Sequence, residues 1–359
     1  MRKCRLLEYY DVLDDLAQFP DAWCYVVFSR RGPGKTYSAL KGAHDLGLTI
    51  AYTRRTKGDV QMISHTFNGK SMSPYEPIMR DYPEIRVRSE FWNDEGMAVF
   101  YDENDEGEII GKPITYVLAI NNISKYRSFD LSDCAWLVVD EFMPLVGQKR
   151  IKGEGPGVLD LYMTIARDRE ARGLPPLKMI LFSNTDKISG PLMDTLEIVD
   201  DLAEMIYHHE PVRYIENRGI VLHHLTEEKF RFSDSSRMAI EKGMAGTAWA
   251  RAALGGEFSY TDFSNVRKIN PKNYKPLWSF IWHRTHYVVL LNYESARYYI
   301  KQGNIKGVPS YDLSKENDQK RFFLEVIIDI RQECIDNRVT FESYSLYDLI
   351  MNYKNFYEV

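Results

Sequence analysis

Long apolar runs are missing from this 359-residue chain. No stretch approaches the roughly 18 consecutive apolar residues that a membrane helix needs, so no membrane span is expected. Cysteine is scarce: Cys4, Cys24, Cys134 and Cys334 stand far apart, and no C-x-x-C pair occurs. That spacing argues against a disulfide scaffold or a zinc site and suits a reducing cytoplasm. Cys24 and Cys134 lie inside apolar runs, where core packing is their plain role. The opening MRKCRLLEYYDVLDD is charged and lacks the apolar core of a signal peptide. Internal repeats and low-complexity segments are lacking too.

What is present describes a folded, two-domain protein, with 44% hydrophobic and 13% aromatic residues. The net charge of −5 is uneven. Residues 227–359 carry 19 Lys and Arg against 17 Asp and Glu, whereas residues 1–226 carry 27 against 34. From Arg267 to Lys306 there are eight basic residues and one acid, Glu294. The run NVRKINPKNYKPLWSFIWHR interleaves bases with aromatics. Such a run fits a surface that contacts phosphate, or a solvated face over aromatic core strands.

The most informative stretch is WCYVVFSRRGPGKTYSALKGA, residues 23–43. An apolar strand, Trp23 to Phe28, meets a glycine turn and then a helix start from Thr36. The turn comprises Ser29, Arg30, Arg31, Gly32, Pro33, Gly34, Lys35 and Thr36. It matches the phosphate-loop pattern G-x-x-x-x-G-K-[ST] except that Ser29 replaces the first glycine. In such a loop, backbone N–H groups and the positive helix end face a phosphate chain. Lys35 would reach the β- and γ-phosphates of ATP, and Thr36 would hold Mg²⁺.

A second signal is WLVVDEF, a solid apolar strand ending in Asp140 and Glu141, roughly 100 residues after Lys35. Asp140 would order the Mg²⁺ shell and Glu141 would activate water. Phosphoryl transfer needs positioning and charge neutralisation, and these residue types supply both. In LFSNTDK another strand ends at Asn184 and Thr185, either of which could sense the γ-phosphate or simply begin a turn. In ARDREAR, Arg167, Arg169 and Arg172 stand near a helix end expected at Gly173. One of them could serve a neighbouring subunit's ATP, or the group could be a solvated helix terminus. Asp140 is followed by Glu-Phe-Met, not by the D-x-x-G of a GTPase switch. The Asp-Glu pair favours water as the nucleophile over a small-molecule kinase.

Buried strands alternating with helices predict an α/β fold with a parallel, doubly wound sheet. Residues 58–130 read as antiparallel hairpins, and a later hairpin turns near His283 to Thr285. KENDQKRFFLEVIIDIRQECIDN reads as an amphipathic helix. The expected division is 1–225, a short helical linker at 226–270, and a third part at 271–359.

Together these landmarks resemble the DNA-packaging ATPases of small protein-primed tailed phages, the phi-twenty-nine type. The resemblance is carried by SRRGPGKTY, YTRRTK, NNISKYRSFDLSDCAWLVVDEF, MTIARDRE and LFSNTDKISGP, through most of residues 20–260. It implies a P-loop NTPase of the additional-strand, catalytic-glutamate class, followed by an α+β RNase H-like domain whose metal-binding acids are lost. It implies a ring of subunits, usually five, on the portal vertex of a procapsid in the host cytoplasm, pumping double-stranded DNA inward. Some relatives also use a structural packaging RNA. By the same resemblance Arg167 is the trans-acting arginine finger. Arg55 and Lys57 are basic residues acting near the subunit boundary. Lys125, with Arg127 beside it, lies in a loop that grips DNA in the pore. Asp312, Asp329 and Glu333 are the acids left to a nuclease, so a terminase large subunit that cuts DNA is one rival reading. A nucleotide-gated DNA-binding scaffold without turnover is another.

Overall fold

A computed structural model of the chain describes residues 8–67, 70–144, 151–184, 187–226, 228–231 and 263–359. The chain forms two compact units, Met1–Leu196 with Glu204–Tyr260, and Glu197–Ala203 with Thr261–Val359. Cys4, Thr185 and most of the linker expected at 226–270 lie outside the described residues.

The strands of the first unit are β1 (Cys24–Ser29), β2 (Thr49–Arg54), β3 (Thr66–Phe67), β4 (Lys70–Ser71), β5 (Val87–Trp92), β6 (Met97–Glu103), β7 (Ile109–Ala119), β8 (Cys134–Asp140), β9 (Lys178–Asn184), β10 (Val212–Ile215) and β11 (Ile220–His224). β3 and β4 make a small ladder, and the others form one sheet in the order β10-β11-β1-β9-β8-β2-β7-β6-β5. The six neighbours from β11 to β7 run parallel. At the edges β10, β6 and β5 run antiparallel. The hairpins expected within 58–130 are therefore an extension of the main sheet, because β7 pairs with β6 on one side and β2 on the other.

All six residues of β1 are buried. A strand covered on both faces needs apolar residues throughout, which is why the parallel strands read as solid runs in the sequence. Tyr25 and Val27 face a cluster shared with Tyr52, Val138 and Phe182, and with Ala39 and Leu40 of a helix. The helices of this part of the chain are α1 (Val12–Gln18), α2 (Lys35–Asp45), α3 (Lys57–Ile63), α4 (Glu76–Asp81), α5 (Ile123–Tyr126), α6 (Glu154–Ala166), α7 (Pro191–Leu196) and α8 (Val199–Tyr207). Helix α3 begins with a capping box in which Thr56 and Asp59 exchange hydrogen bonds.

The helix expected to reach Gly173 stops at Ala166. Arg169 explains the early end. Its buried guanidinium donates to the carbonyls of Ser132, Cys134 and Pro175, which turns the chain back towards β8. At its other end α6 packs closely on α7, where a Cβ on Gly155 would overlap the Thr195 hydroxyl and the Pro191 carbonyl.

The second unit carries β12 (Lys275–Trp282), β13 (Thr285–Asn292), β14 (Arg297–Gln302), β15 (Ser310–Asp312) and β16 (Val339–Phe341), in the order β15-β12-β13-β14-β16. The β12–β13 turn has positive φ at both His283 and Arg284, the geometry of a two-residue hairpin turn. Helix α9 (Glu316–Phe322) passes through a π-helical turn (Phe323–Ile327) into α10 (Ile328–Ile335), and α11 (Tyr344–Met351) follows. Phe280, Trp282, Val289 and Ile300 of the sheet pack against Phe322, Val326, Ile330 and Leu349 of these helices. The aromatics of the basic run thus serve the core, while Arg267, Lys268, Lys272, Lys275, Arg284, Arg297 and Lys306 stand exposed.

Gly155→Ala should lower stability by about 1–3 kcal/mol through overpacking at the α6–α7 contact. Thermal melting checks this, and an unchanged melting temperature would contradict the contact.

Candidate active site

The turn between β1 and α2 works because two glycines take conformations that side chains resist. Gly32 has φ 103° and Gly34 φ 92°. Gly34 caps α2 without a side chain, so the first N–H groups of the helix keep their donors for another partner. Lys35 opens the helix and is buried. Its Nζ donates to Ser29 Oγ, and that hydroxyl donates to the Arg30 carbonyl at 2.6 Å. The serine that departs from the glycine pattern thus supplies a partner for the lysine. Burial pulls Lys35 down to about 8, against the opposite pull of Asp140 and Glu141. Arg30 is buried, and Arg31 and Gly32 stand on the surface.

The sheet order brings the other residues to this turn. β9 lies between β1 and β8. Ser29 is level with Asn184, and Phe182 is level with Asp140. Asp140 is buried and accepts three hydrogen bonds. Oδ2 takes one from Thr36 Oγ1 at 2.9 Å and one from Tyr52 Oη at 2.6 Å, and Oδ1 takes one from the Glu141 N–H at 3.0 Å. Burial, followed by the Asp140 charge, pushes the Tyr52 phenol well above its ordinary range, so it remains a donor. Glu141 has φ 51°, which is strained for a residue with a Cβ. Its side chain is 54% exposed, with Oε2 3.4 Å from Arg54 Nη1.

Thr36 Oγ1 and Asp140 Oδ2 are oxygen donors suited to Mg²⁺. Among the described residues no three His, Cys, Asp or Glu side chains gather to hold a metal unaided. The pair fits an ion that draws most of its ligands from water and substrate phosphate.

Tyr52 and Arg54 are the site residues that motif reading missed. Both lie on β2, beside β8. Arg54 Nη1 is 3.8 Å from Asp140 Oδ2, and its guanidinium lies over the Tyr52 ring at 5.5 Å. Strand alternation carried the signal: Tyr52 and Arg54 share one side of β2 and Arg55 points away.

Arg55 directly follows the last residue of β2. It is buried and makes a two-point ion pair with Glu154 in the first turn of α6, with Nη2 3.0 Å from Oε2. It anchors the first turn of α6 to the end of β2. Lys57 is half-buried, with Nζ 2.7 Å from the Asn93 carbonyl. Arg167 is exposed just past the end of α6. Lys125 sits on a helical turn, α5, and its exposed amine reaches the Asp94 carbonyl at 3.2 Å. Buried Tyr126 holds that turn by donating to the Gly96 carbonyl and accepting from the Ala119 N–H. Arg127 pairs with Asp160 of α6 at 2.7 Å. Arg127 and Arg167 line one surface cleft of about 560 Å³. In the second unit Asp312 bonds to Ser314 and Lys315, and Glu333 to Arg338.

Arg55→Ala would leave Glu154 buried without its cation. A loss of about 3–5 kcal/mol is expected in denaturant unfolding, with much of it recovered when Glu154→Leu is combined with Arg55→Leu. A loss below about 1 kcal/mol would contradict the anchor, because that is the worth of an exposed pair.

No protein-family model matches this sequence, and no curated protein matches it. Solved structures share the fold, two packaging motors among them. One is the bacteriophage Phi-29 viral genome packaging motor assembly, at 16% identity and a TM-score of 0.65, with 97% of this chain and 98% of that chain covered. The other is the Phi-28 gp11 DNA packaging motor, at 16% identity and a TM-score of 0.61, with 97% and 96% covered.

Proposed function

We propose that this protein is an ATP-driven motor that translocates double-stranded viral DNA into a procapsid, working as a ring at the portal. The observation that carries the reading is the meeting of Thr36 and Asp140, 2.9 Å apart, beside Lys35 and Glu141. Such a pair is what a Mg²⁺–nucleotide site requires. The position of β9 between β1 and β8 supports the additional-strand class. The fold shared with phage packaging motors supports the mechanical role.

In this reading the turn from Ser29 to Thr36 cradles the phosphates of ATP, and Lys35 leaves Ser29 to meet the β- and γ-oxygens. Mg²⁺, held by Thr36 and ordered by Asp140, would neutralise charge on those oxygens. Glu141 orients a water for in-line attack on the γ-phosphorus and takes its proton as the bond to the β-phosphate oxygen breaks. Asn184, at the end of β9 and level with Ser29, senses the γ-phosphate in this reading. Arg167 of one subunit reaches the nucleotide of its neighbour, where an arginine offsets transition-state charge. Lys57 acts at the same boundary. Lys125, with Arg127, faces DNA, whose phosphates a sequence-independent motor must grip. The exposed bases of the second unit, the RNase H-like part of this reading, offer a further surface for DNA, portal or packaging RNA. The ring is taken to hold five subunits.

ATP hydrolysis with and without linear double-stranded DNA tests this. DNA should accelerate turnover, and Glu141→Gln should bind ATP while losing at least about 10²-fold in kcat. Wild type that binds ATP but never turns it over, with DNA or with procapsids, would leave a nucleotide-gated DNA binder. Metal-dependent cutting of the DNA would instead point to a terminase with a working nuclease.

A further inference from the structure

The segment before α1 runs along the glycine turn. Tyr10 N–H donates to the Pro33 carbonyl at 3.0 Å, and Val12 N–H to Ser38 Oγ of α2 at 2.7 Å. Tyr10 itself points inward. Its hydroxyl donates to buried Asp15 at 2.8 Å, and Asp15 lies 2.9 Å from His223 Nδ1 on β11. This buried trio fixes the segment against the sheet beside the turn.

Tyr9 does the opposite. The residue is 47% exposed although its neighbours on the segment are tied down. A Cβ built on Gly34 would lie 3.9 Å from Tyr9 Cβ, so the ring starts at the glycine that precedes Lys35. The chain beyond β11 returns to the same place. Phe230 packs on Tyr10 and His223, with ring centroids 6.0 and 5.6 Å away. The Arg231 N–H donates to the Glu8 carbonyl at 2.8 Å, and its guanidinium lies over the Tyr9 ring at 5.1 Å. Two planar groups, one aromatic and one cationic, thus stand at the edge of the turn on backbone that is hydrogen-bonded in place.

We propose that Tyr9 and Arg231 form the seat for the purine base of the nucleotide, an inference that rests on the nucleotide-binding reading above. A base leaving the phosphates past Gly34 meets the open face of Tyr9, and stacking there removes apolar surface from water on both partners. The guanidinium plane of Arg231 adds a second stacking surface and a cation over the π system. Every base has a π face, so the seat grips a purine without reading its hydrogen-bonding edge. ATP and GTP should then bind with similar affinity.

The test is calorimetric binding of ATP, GTP and inorganic triphosphate, each with Mg²⁺, to the full chain. Wild type, Tyr9→Ala, Tyr9→Phe and Arg231→Ala are compared. Tyr9→Ala should weaken ATP and GTP by about 10-fold and leave triphosphate within about twofold, since one stacked base is worth on the order of a tenfold change. Tyr9→Phe should bind like wild type, and Arg231→Ala should weaken the nucleotides and spare triphosphate. Unchanged ATP binding by Tyr9→Ala would overturn the seat alone. An equal loss of triphosphate would overturn it too, because the turn itself would then be disturbed. Wild type that binds neither ATP nor triphosphate would overturn the nucleotide site and the seat with it.

Discussion

The carboxylate of Asp140 is the junction on which the site depends. It receives hydrogen bonds from Thr36 at the start of α2, from Tyr52 on β2 and from the backbone of Glu141. Two distant stretches of chain, the start of α2 and β2, are thereby held to one buried charge at the end of β8. A buried carboxylate is costly unless it is fully hydrogen-bonded, so the surrounding donors and the carboxylate require one another. The parallel strands make this possible by ending at the same level, with β9 spacing β1 from β8.

Glu141 follows Asp140 directly and inherits its setting. The left-handed backbone turn at φ 51° sends it out of the strand direction, towards Arg54 and the surface. Such strain persists only where neighbours hold it, here the bond from its own N–H back to Asp140 and that from Phe142 N–H to the Phe182 carbonyl. From the same neighbourhood Arg55 reaches Glu154, so α6 is tied to the end of β2. Along α6, Gly157 meets Ile123 of α5, Asp160 pairs with Arg127, and Arg167 follows the last turn. In the proposed motor, one helix therefore connects the nucleotide site, the DNA-facing turn and the residue offered to a neighbour.

The parts legible in the sequence were those set by local pattern. The solid runs of β1, β8 and β9 announced buried parallel strands, and Gly32, Gly34 and Lys35 announced a turn entering a helix. The hairpin at His283 and Arg284 was legible from two alternating runs that met there. What escaped depended on distant partners. Arg54 and Arg55 are chemically identical and adjacent, and only the neighbour on each side of β2 decides that one faces Asp140 and the other Glu154. The end of α6 escaped because helical periodicity continues past Ala166, while the tertiary bonds of Arg169 override it. The run of bases and aromatics left two readings open, and only the sheet decides between them, by turning Trp278, Phe280 and Trp282 inward beneath a solvated basic face.

The central claim is that Thr36 and Asp140 together form the cation end of a nucleotide site. The most direct measurement is the affinity of ATP with Mg²⁺ and with excess EDTA, for wild type and Asp140→Asn. Wild type should bind ATP much more tightly with Mg²⁺, and Asp140→Asn should lose most of that difference while keeping binding in EDTA. Equal wild-type affinity in the two conditions would contradict the account.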